Sequence, residues 1–240
     1  MFVKRPHDFS LSISEMYSLQ KDLSKKIVQK KLEKEPKLIA GFDVSYEGNL
    51  GLGVIALFEY PSINLLKTYT AVVEANFPYI PGFLSFRELP VFIKTAEKIE
   101  PEYEPDIFVF DGNGLIHPRK LGLASHASFF VTKPTFGIAK SLLIGKYEEP
   151  GPNKGDFSYI RYRGKIIGAA LRSKESTKPV FVSVGNRITL YECIEITKKA
   201  LDGYRIPKLT RLPDQISRMI KRKLKNEFGT ENESKDTKTN

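Results

Sequence analysis

Two aspartates carry the chemistry that residue type and position suggest first. Asp111 closes Ile107-Phe108-Val109-Phe110, an apolar run that reads as a strand buried on both faces. It stands where that strand enters Gly112-Asn113-Gly114, the kind of place at which an α/β sheet presents ligand or metal groups. Aspartate before glycine also starts turns, so Asp111 alone fits either reading. Asp43 lies inside Gly41-Phe42-Asp43-Val44-Ser45-Tyr46, another strand-like stretch, where a carboxylate needs a partner or a cation to offset desolvation. Two such carboxylates side by side could both ionise with a divalent cation between them. Carboxylates plus a substrate phosphate make a magnesium site suited to phosphodiester chemistry. Lys140 ends a short apolar run and could stabilise phosphorane charge, and His117 follows the glycine loop and could position or protonate a phosphate oxygen. A surface lysine and a loop histidine are the plain alternatives.

The elements that would position these residues follow from periodicity and caps. Ser12 and Glu15 form a capping-box pattern opening a helix over about 12–34, with Met16, Leu19, Leu23, Ile27 and Leu32 on one face and lysines on the other. Residues 38–46, 50–58 and 63–75 read as three strands joined by turns at Glu47-Gly48-Asn49 and Pro61-Ser62, an antiparallel meander. Residues 76–82 form a rigid loop with two prolines and a glycine. Ser85 and Glu88 then make a capping-box pattern opening the next helix, which explains Glu88 without any catalytic role. After the strand ending at Asp111 come a helix over 121–131, a strand over 134–140, a hairpin around Arg163-Gly164, and a buried strand over 180–184. A helix capped by Thr189 and Glu192 follows, with Cys193 in its core face, and a basic helix spans about 213–227. Residues 229–240 are polar and are expected to be disordered.

This order predicts an α/β, ribonuclease H-like mixed sheet: three antiparallel strands, then parallel strands, flanked by helices, with an extra β-hairpin. In such a sheet the first and fourth strands are neighbours, which would bring Asp43 and Asp111 together. One domain over 1–228 is expected, its core over about 37–214.

Composition sets the partners. The formal net charge is +10, which favours a polyanion. A single cysteine excludes a disulfide framework and a multi-thiolate zinc site. Every apolar run is short, so no membrane association is expected, and a reducing cytoplasm is the expected location. There is no Trp, so any base stacking would fall to Tyr, Phe or Arg.

Several motifs in order resemble the endonuclease V family. They are Pro78-Tyr79-Ile80-Pro81-Gly82 with Phe86-Arg87-Glu88, Asp111-Gly112-Asn113-Gly114 with His117-Pro118-Arg119, Gly122-Leu123-Ala124-Ser125-His126, and Pro134-Thr135-Phe136-Gly137-Ile138-Ala139-Lys140. The resemblance runs from about residue 38 to 214. It implies a metal-dependent endodeoxyribonuclease of DNA repair, acting on DNA with deaminated purines, chiefly inosine; the chain is expected to act as a monomer. The cut would fall at the second phosphodiester bond 3′ to the lesion, leaving a 3′-hydroxyl and a 5′-phosphate. Inosine-containing RNA is the alternative substrate. A sugar-kinase or actin-like ATPase is a remote alternative that needs two such domains, for which the chain is too short.

By that resemblance the metal carboxylates fall on Asp43, Glu88 and Asp111, with Mg2+ as cofactor and Mn2+ as substitute. Lys140 and His117 take the remaining catalytic positions. The strand-opening wedge falls on Tyr79, Ile80, Pro81 and Gly82. Further substrate-binding positions are Arg87, Gly112, Gly114, His126, Arg211 and Asp214. Two residues depart from the family pattern: Asn186, where His is usual, and Pro213, where a small residue is common.

Overall fold

This computed structural model describes residues 1–233, with side chains through residue 223. Strands β1 (Leu38–Glu47), β2 (Leu50–Glu59) and β3 (Leu65–Glu74) form the antiparallel meander. Gly48, at φ +56°, makes the tight turn between the first two. Strands β4 (Ile107–Asp111) and β5 (Thr135–Ala139) continue the sheet in parallel beside β1. The hairpin β6 (Phe157–Tyr162) and β7 (Lys165–Leu171) joins the same sheet through β8 (Val180–Asn186), which returns antiparallel to β5. The order β3-β2-β1-β4-β5-β8-β7-β6 is the ribonuclease H-like mixed sheet expected, with the hairpin as its far edge.

Strand alternation sorts the two faces. Ala40, Phe42, Phe108 and Phe110 face α2 (Leu84–Ala96) and α3 (Leu123–Val131), where Leu89, Phe92, Ala127 and Phe130 meet them. Ile39, Ile107 and Val109 face α4 (Leu190–Lys199) and the start of α5 (Lys208–Glu233), where Cys193, Ile194 and Leu209 complete the core. Phe92 packs edge-on against Phe42, Phe108 and Phe110, with ring centroids 5.1, 5.5 and 4.9 Å away. Burying one such ring contributes about 1.5–3 kcal/mol, so α2 is firmly seated on the strands that carry the two aspartates.

Three expected boundaries move. Helix α1 (Ile13–Ser24) does open on the Ser12–Glu15 capping box, but it stops ten residues short of the expected 34. Residues beyond it run as an irregular strap past the end of β8 to α4, held where Val28 N–H donates to Asn186 Oδ1 at 2.9 Å and Leu32 N–H donates to Glu192 Oε1 at 2.9 Å. Those tertiary bonds override local helix preference. Helix α2 begins at Leu84 with Phe83 as its cap residue, so Ser85 lies two residues too deep to cap it, and the expected Ser85–Glu88 box does not form. Helix α5 starts at Lys208, not near 213, and carries Pro213 inside it. Its range takes in residues 229–233 of the expected tail, and the rest of that tail lies outside the described residues. Among the described residues no helix is long and apolar enough to cross a membrane.

Candidate active site

Parallel pairing of β1 with β4 ends where Phe42 matches Phe110, so one step on Asp43, midway along β1, stands beside Asp111 at the carboxyl end of β4. Both side chains continue the Ile39 and Val109 phase, toward α5. That helix is let in by Gly41, where a Cβ would lie 1.8 Å from the Leu209 carbonyl oxygen. The same carbonyl has no intrahelical donor four residues on, because Pro213 lacks an N–H. Helix α5 thus lies against β1 and delivers Asp214 to the aspartate pair. Arg218 clasps Asp214 with Nη2 and Nε at 2.9 and 3.1 Å.

The electrostatics agree with this convergence. Burial, then Asp111 and then Asp214, push the Asp43 carboxyl up to about 7. Burial, then Asp43 and Asp111, raise Glu88 well above the carboxylate range. Asp111 is also raised, by burial, against the pull of Lys140, whose Nζ lies 2.5 Å from Asp111 Oδ2. Burial works against the charge on Lys140, but Asp111 and the other carboxylates outweigh it and raise its pKa. The result is a carboxylate cluster poor in compensating charge, with one exposed lysine at its mouth.

A cavity of about 340 Å³ adjoins Asp111 and Lys140. Tyr79, Gly82, Ser85, Gly112, Asn113 and Leu123 are among its walls. Tyr79 stands exposed at the rim while Ile80 packs inward near Phe83 and Phe86. The loop turns at Gly82, φ +81°, and the Gly82 carbonyl accepts from three donors: Gln20 Nε2 at 3.0 Å, His117 Nε2 at 3.1 Å and Arg119 Nη2 at 2.6 Å. His117 Nδ1 accepts from Arg119 N–H at 3.2 Å. Both ring nitrogens are therefore committed, and burial, with Arg119 adding to it, lowers the ring to about 4. In this structure His117 anchors the loop and presents no free nitrogen to a phosphate.

Other expected site residues separate into groups. Gly112 lines the cavity, whereas Gly114 is covered by β8, its N–H donating to Ser183 Oγ at 2.8 Å. Arg87 stacks 4.2 Å over Tyr46, and Tyr46 Oη donates to the Arg87 carbonyl at 3.2 Å. Arg211 is bound to Asp202, donates to Gln215 at 3.0 Å and stacks 4.0 Å from Tyr204. His126 is buried between α3 and α2 and does not line the cavity. The departure at Asn186 is taken up in packing: it is buried, bonded to Val28 N–H and to Ser128 Oγ at 2.9 Å. Sequence patterns missed Gln20 and the role of Arg119. A glutamine on the buried stripe of α1 between Met16 and Leu23 was the available signal.

Asp43, Asp111 and Glu88 are the side chains a divalent cation could join, because burial and their mutual repulsion make them resist ionisation together, and of the three Asp111 lines the cavity. Among the described residues, no group of three or more His, Cys, Asp or Glu side chains is placed to hold a metal ion. Magnesium needs none, since one or two carboxylates with water and substrate phosphate suffice.

Sheet order and the paired acids of β1 and β4 define an α/β protein with a carboxylate site where the parallel pairing of those two strands ends. Residues 21–215 match the Endonuclease V family model, and the chain belongs to that family of nucleases. It is 42% identical to the Endonuclease V of Petrotoga mobilis over 223 residues, 93% of this chain and all of that one. The Endonuclease V structure from Bacillus subtilis superposes with a TM-score of 0.86 at 29% identity, over 95% of this chain and 100% of that one. The Ciona intestinalis Endonuclease V, in complex with a 24mer DNA containing an inosine followed by a ribo-adenosine, superposes with a TM-score of 0.77 at 30% identity, over 88% and 98% of the two chains.

Proposed function

We propose that this chain is a repair endonuclease that recognises deaminated purines in DNA, chiefly inosine, and hydrolyses the second phosphodiester bond on the 3′ side. The products are a 3′-hydroxyl and a 5′-phosphate. The observation that carries the reading is the juxtaposition of Asp43 and Asp111 beside a base-sized cavity. A Ciona relative bound to inosine-containing DNA supports the substrate class.

Asp43 and Asp111, with Glu88, would hold Mg2+, or Mn2+ in its place, which supplies Lewis-acid stabilisation of phosphate charge and a more acidic bound water. The chain's own groups do the rest. Tyr79 fills the stack left when the base leaves the duplex, and its rigid Pro-flanked loop lowers the ordering cost. The triple anchor on the Gly82 carbonyl holds that loop in place. Lys140, already drawn to Asp111, lies within reach of a phosphate oxygen and offsets the charge that grows there. Asp214, held by Arg218, sets the outer wall of the acidic cluster.

The test is a matched set of duplex DNA and single-stranded RNA substrates, each with one inosine, incubated with and without magnesium and read at nucleotide resolution. A magnesium-dependent nick one nucleotide beyond the lesion's 3′ neighbour linkage in DNA is expected. Cleavage of the RNA alone would move the substrate to inosine-containing RNA, and no inosine-dependent cut in either would end the proposal.

A further inference from the structure

Two histidines form a hydrogen-bonded chain that the proposed reaction leaves unused. His7 Nδ1 lies 2.7 Å from the Asp8 carbonyl oxygen, and His7 Nε2 lies 2.8 Å from His126 Nε2. His126 Nδ1 lies 2.9 Å from Ser85 Oγ, and Ser85 belongs to the wall of the cavity beside Asp111. The surroundings are apolar, with Phe9, Phe86 and Phe130 packed around the two rings. A polar chain in such a place is costly unless every member is satisfied.

Satisfaction fixes the protons from one end. A carbonyl only accepts, so His7 Nδ1 carries a hydrogen. Burial, which outweighs the opposing pull of Asp8, keeps that ring neutral, so its Nε2 is a lone pair. His126 must then donate from Nε2. Burial, with His7 and His117 adding to it, holds His126 neutral as well, so its Nδ1 accepts. The single hydroxyl hydrogen of Ser85 is thereby spent on His126, and Oγ retains only lone pairs for any further partner.

We propose that Ser85 is a specificity-determining residue, its hydroxyl locked as an acceptor by His126 and His7 so that it takes the N1–H of a 6-oxopurine and disfavours adenine. Adenine presents a lone pair at N1, which would meet another lone pair. Guanine shares the N1–H, so the contact sorts 6-oxopurines from adenine and not among themselves. His7 and His126 are positioning residues that touch no substrate. The segment before α1, which nothing in the proposed reaction uses, becomes the source of the polarity. This inference rests on the cavity being the base pocket of the proposed function.

The chain has three histidines, so its imidazole nitrogens are individually assignable by nitrogen-15 NMR of the full-length protein. The expected spectrum has His7 protonated at Nδ1 and His126 at Nε2 without any substrate. The opposite tautomers would overturn the proposal directly, whether or not any variant folds. The second arm is the ratio of kcat/KM for strands carrying one inosine or one adenosine at the same position. His7→Leu is expected to lower that ratio about tenfold, mainly through KM, and Ser85→Ala by a similar factor. His7→Gln restores an acceptor and is expected to recover most of the loss. A folded His7→Leu protein with an unchanged ratio would sink this proposal alone. A wild-type protein with no preference for inosine would sink the pocket reading and this proposal with it.

Discussion

Lys140 and Asp111 form a close ion pair beside Asp43 and Glu88, which resist ionisation, so that the acids depend on added positive charge. Asp111→Asn keeps the shape and removes the charge. It is expected to reduce magnesium-dependent nicking of inosine DNA at least about a thousandfold, with lesion binding within about threefold, because one less negative charge faces phosphate. Single-turnover nicking and a gel-shift titration check this, and lost binding with full nicking would contradict it. Tyr79 stands 63% exposed at the cavity rim. Tyr79→Ala is expected to weaken inosine DNA binding about tenfold and ordinary duplex binding much less, since base–aromatic stacking is worth about 1–3 kcal/mol. Equal losses on both duplexes would make the tyrosine a surface turn. Legibility varied sharply from residue to residue. Asp43 was visible as a carboxylate misplaced in a strand, while Asp111 needed its neighbour to be told from a turn. Glu88 was masked by a capping pattern that the helix does not use, because Phe83 starts α2 before Ser85. His117 and His126 stood out as motif residues, yet their roles depend on which carbonyl and which second ring face them. Spacing along one chain does not encode that.

At the scale of elements, the sheet was readable and the segments packed on it were less so. Strands announce themselves by short apolar runs between turns, and β1 through β5 fell where the pattern put them. The strap after α1 and the start of α5 did not, because each is fixed by distant partners: Asn186 and Glu192 for the strap, Gly41 for α5. The expected start near 213 falls inside the helix, where the missing N–H of Pro213 lies opposite the Leu209 carbonyl, which is turned toward β1. Gly41 is therefore the residue that sets the depth of α5. Gly41→Ala would place a methyl 1.8 Å from that carbonyl oxygen, so β1 and α5 must part. We expect a loss of about 1–3 kcal/mol in urea unfolding, together with weaker magnesium dependence of nicking, because Asp214 rides on α5. A Gly41→Ala protein of wild-type stability would show that the contact gives way freely.

Over the whole molecule, proton linkage offers a test of the acidic cluster that needs no substrate. Asp43 has a folded pKa of about 7 against an ordinary 3.8, so between those values the folded chain holds a proton that the unfolded chain has lost. Stability from this group is present at low pH and is lost as pH rises from about 4 through about 7. Raised Asp111 and Glu88 add the same sign. The histidines act oppositely: His117, lowered to about 4 from 6.5, costs stability at low pH and ceases to do so as pH rises through that window. The wild-type profile alone is thus a sum of opposed effects, and the difference between wild type and Asp43→Asn isolates the cluster. The variant, which cannot ionise, is expected to gain on the order of 2–4 kcal/mol relative to wild type on going from near pH 4 to near pH 8 in chelator. Millimolar magnesium should raise the wild-type Tm near pH 8, where the carboxylates must be ionised, and leave it nearly unchanged near pH 5. In Asp43→Asn the shift near pH 8 should shrink severalfold. Thermal melts of both proteins at the two pH values, with magnesium or with chelator, read out all these differences. An equal magnesium shift in the two proteins would place the ion elsewhere on the chain and remove Asp43 from the metal site.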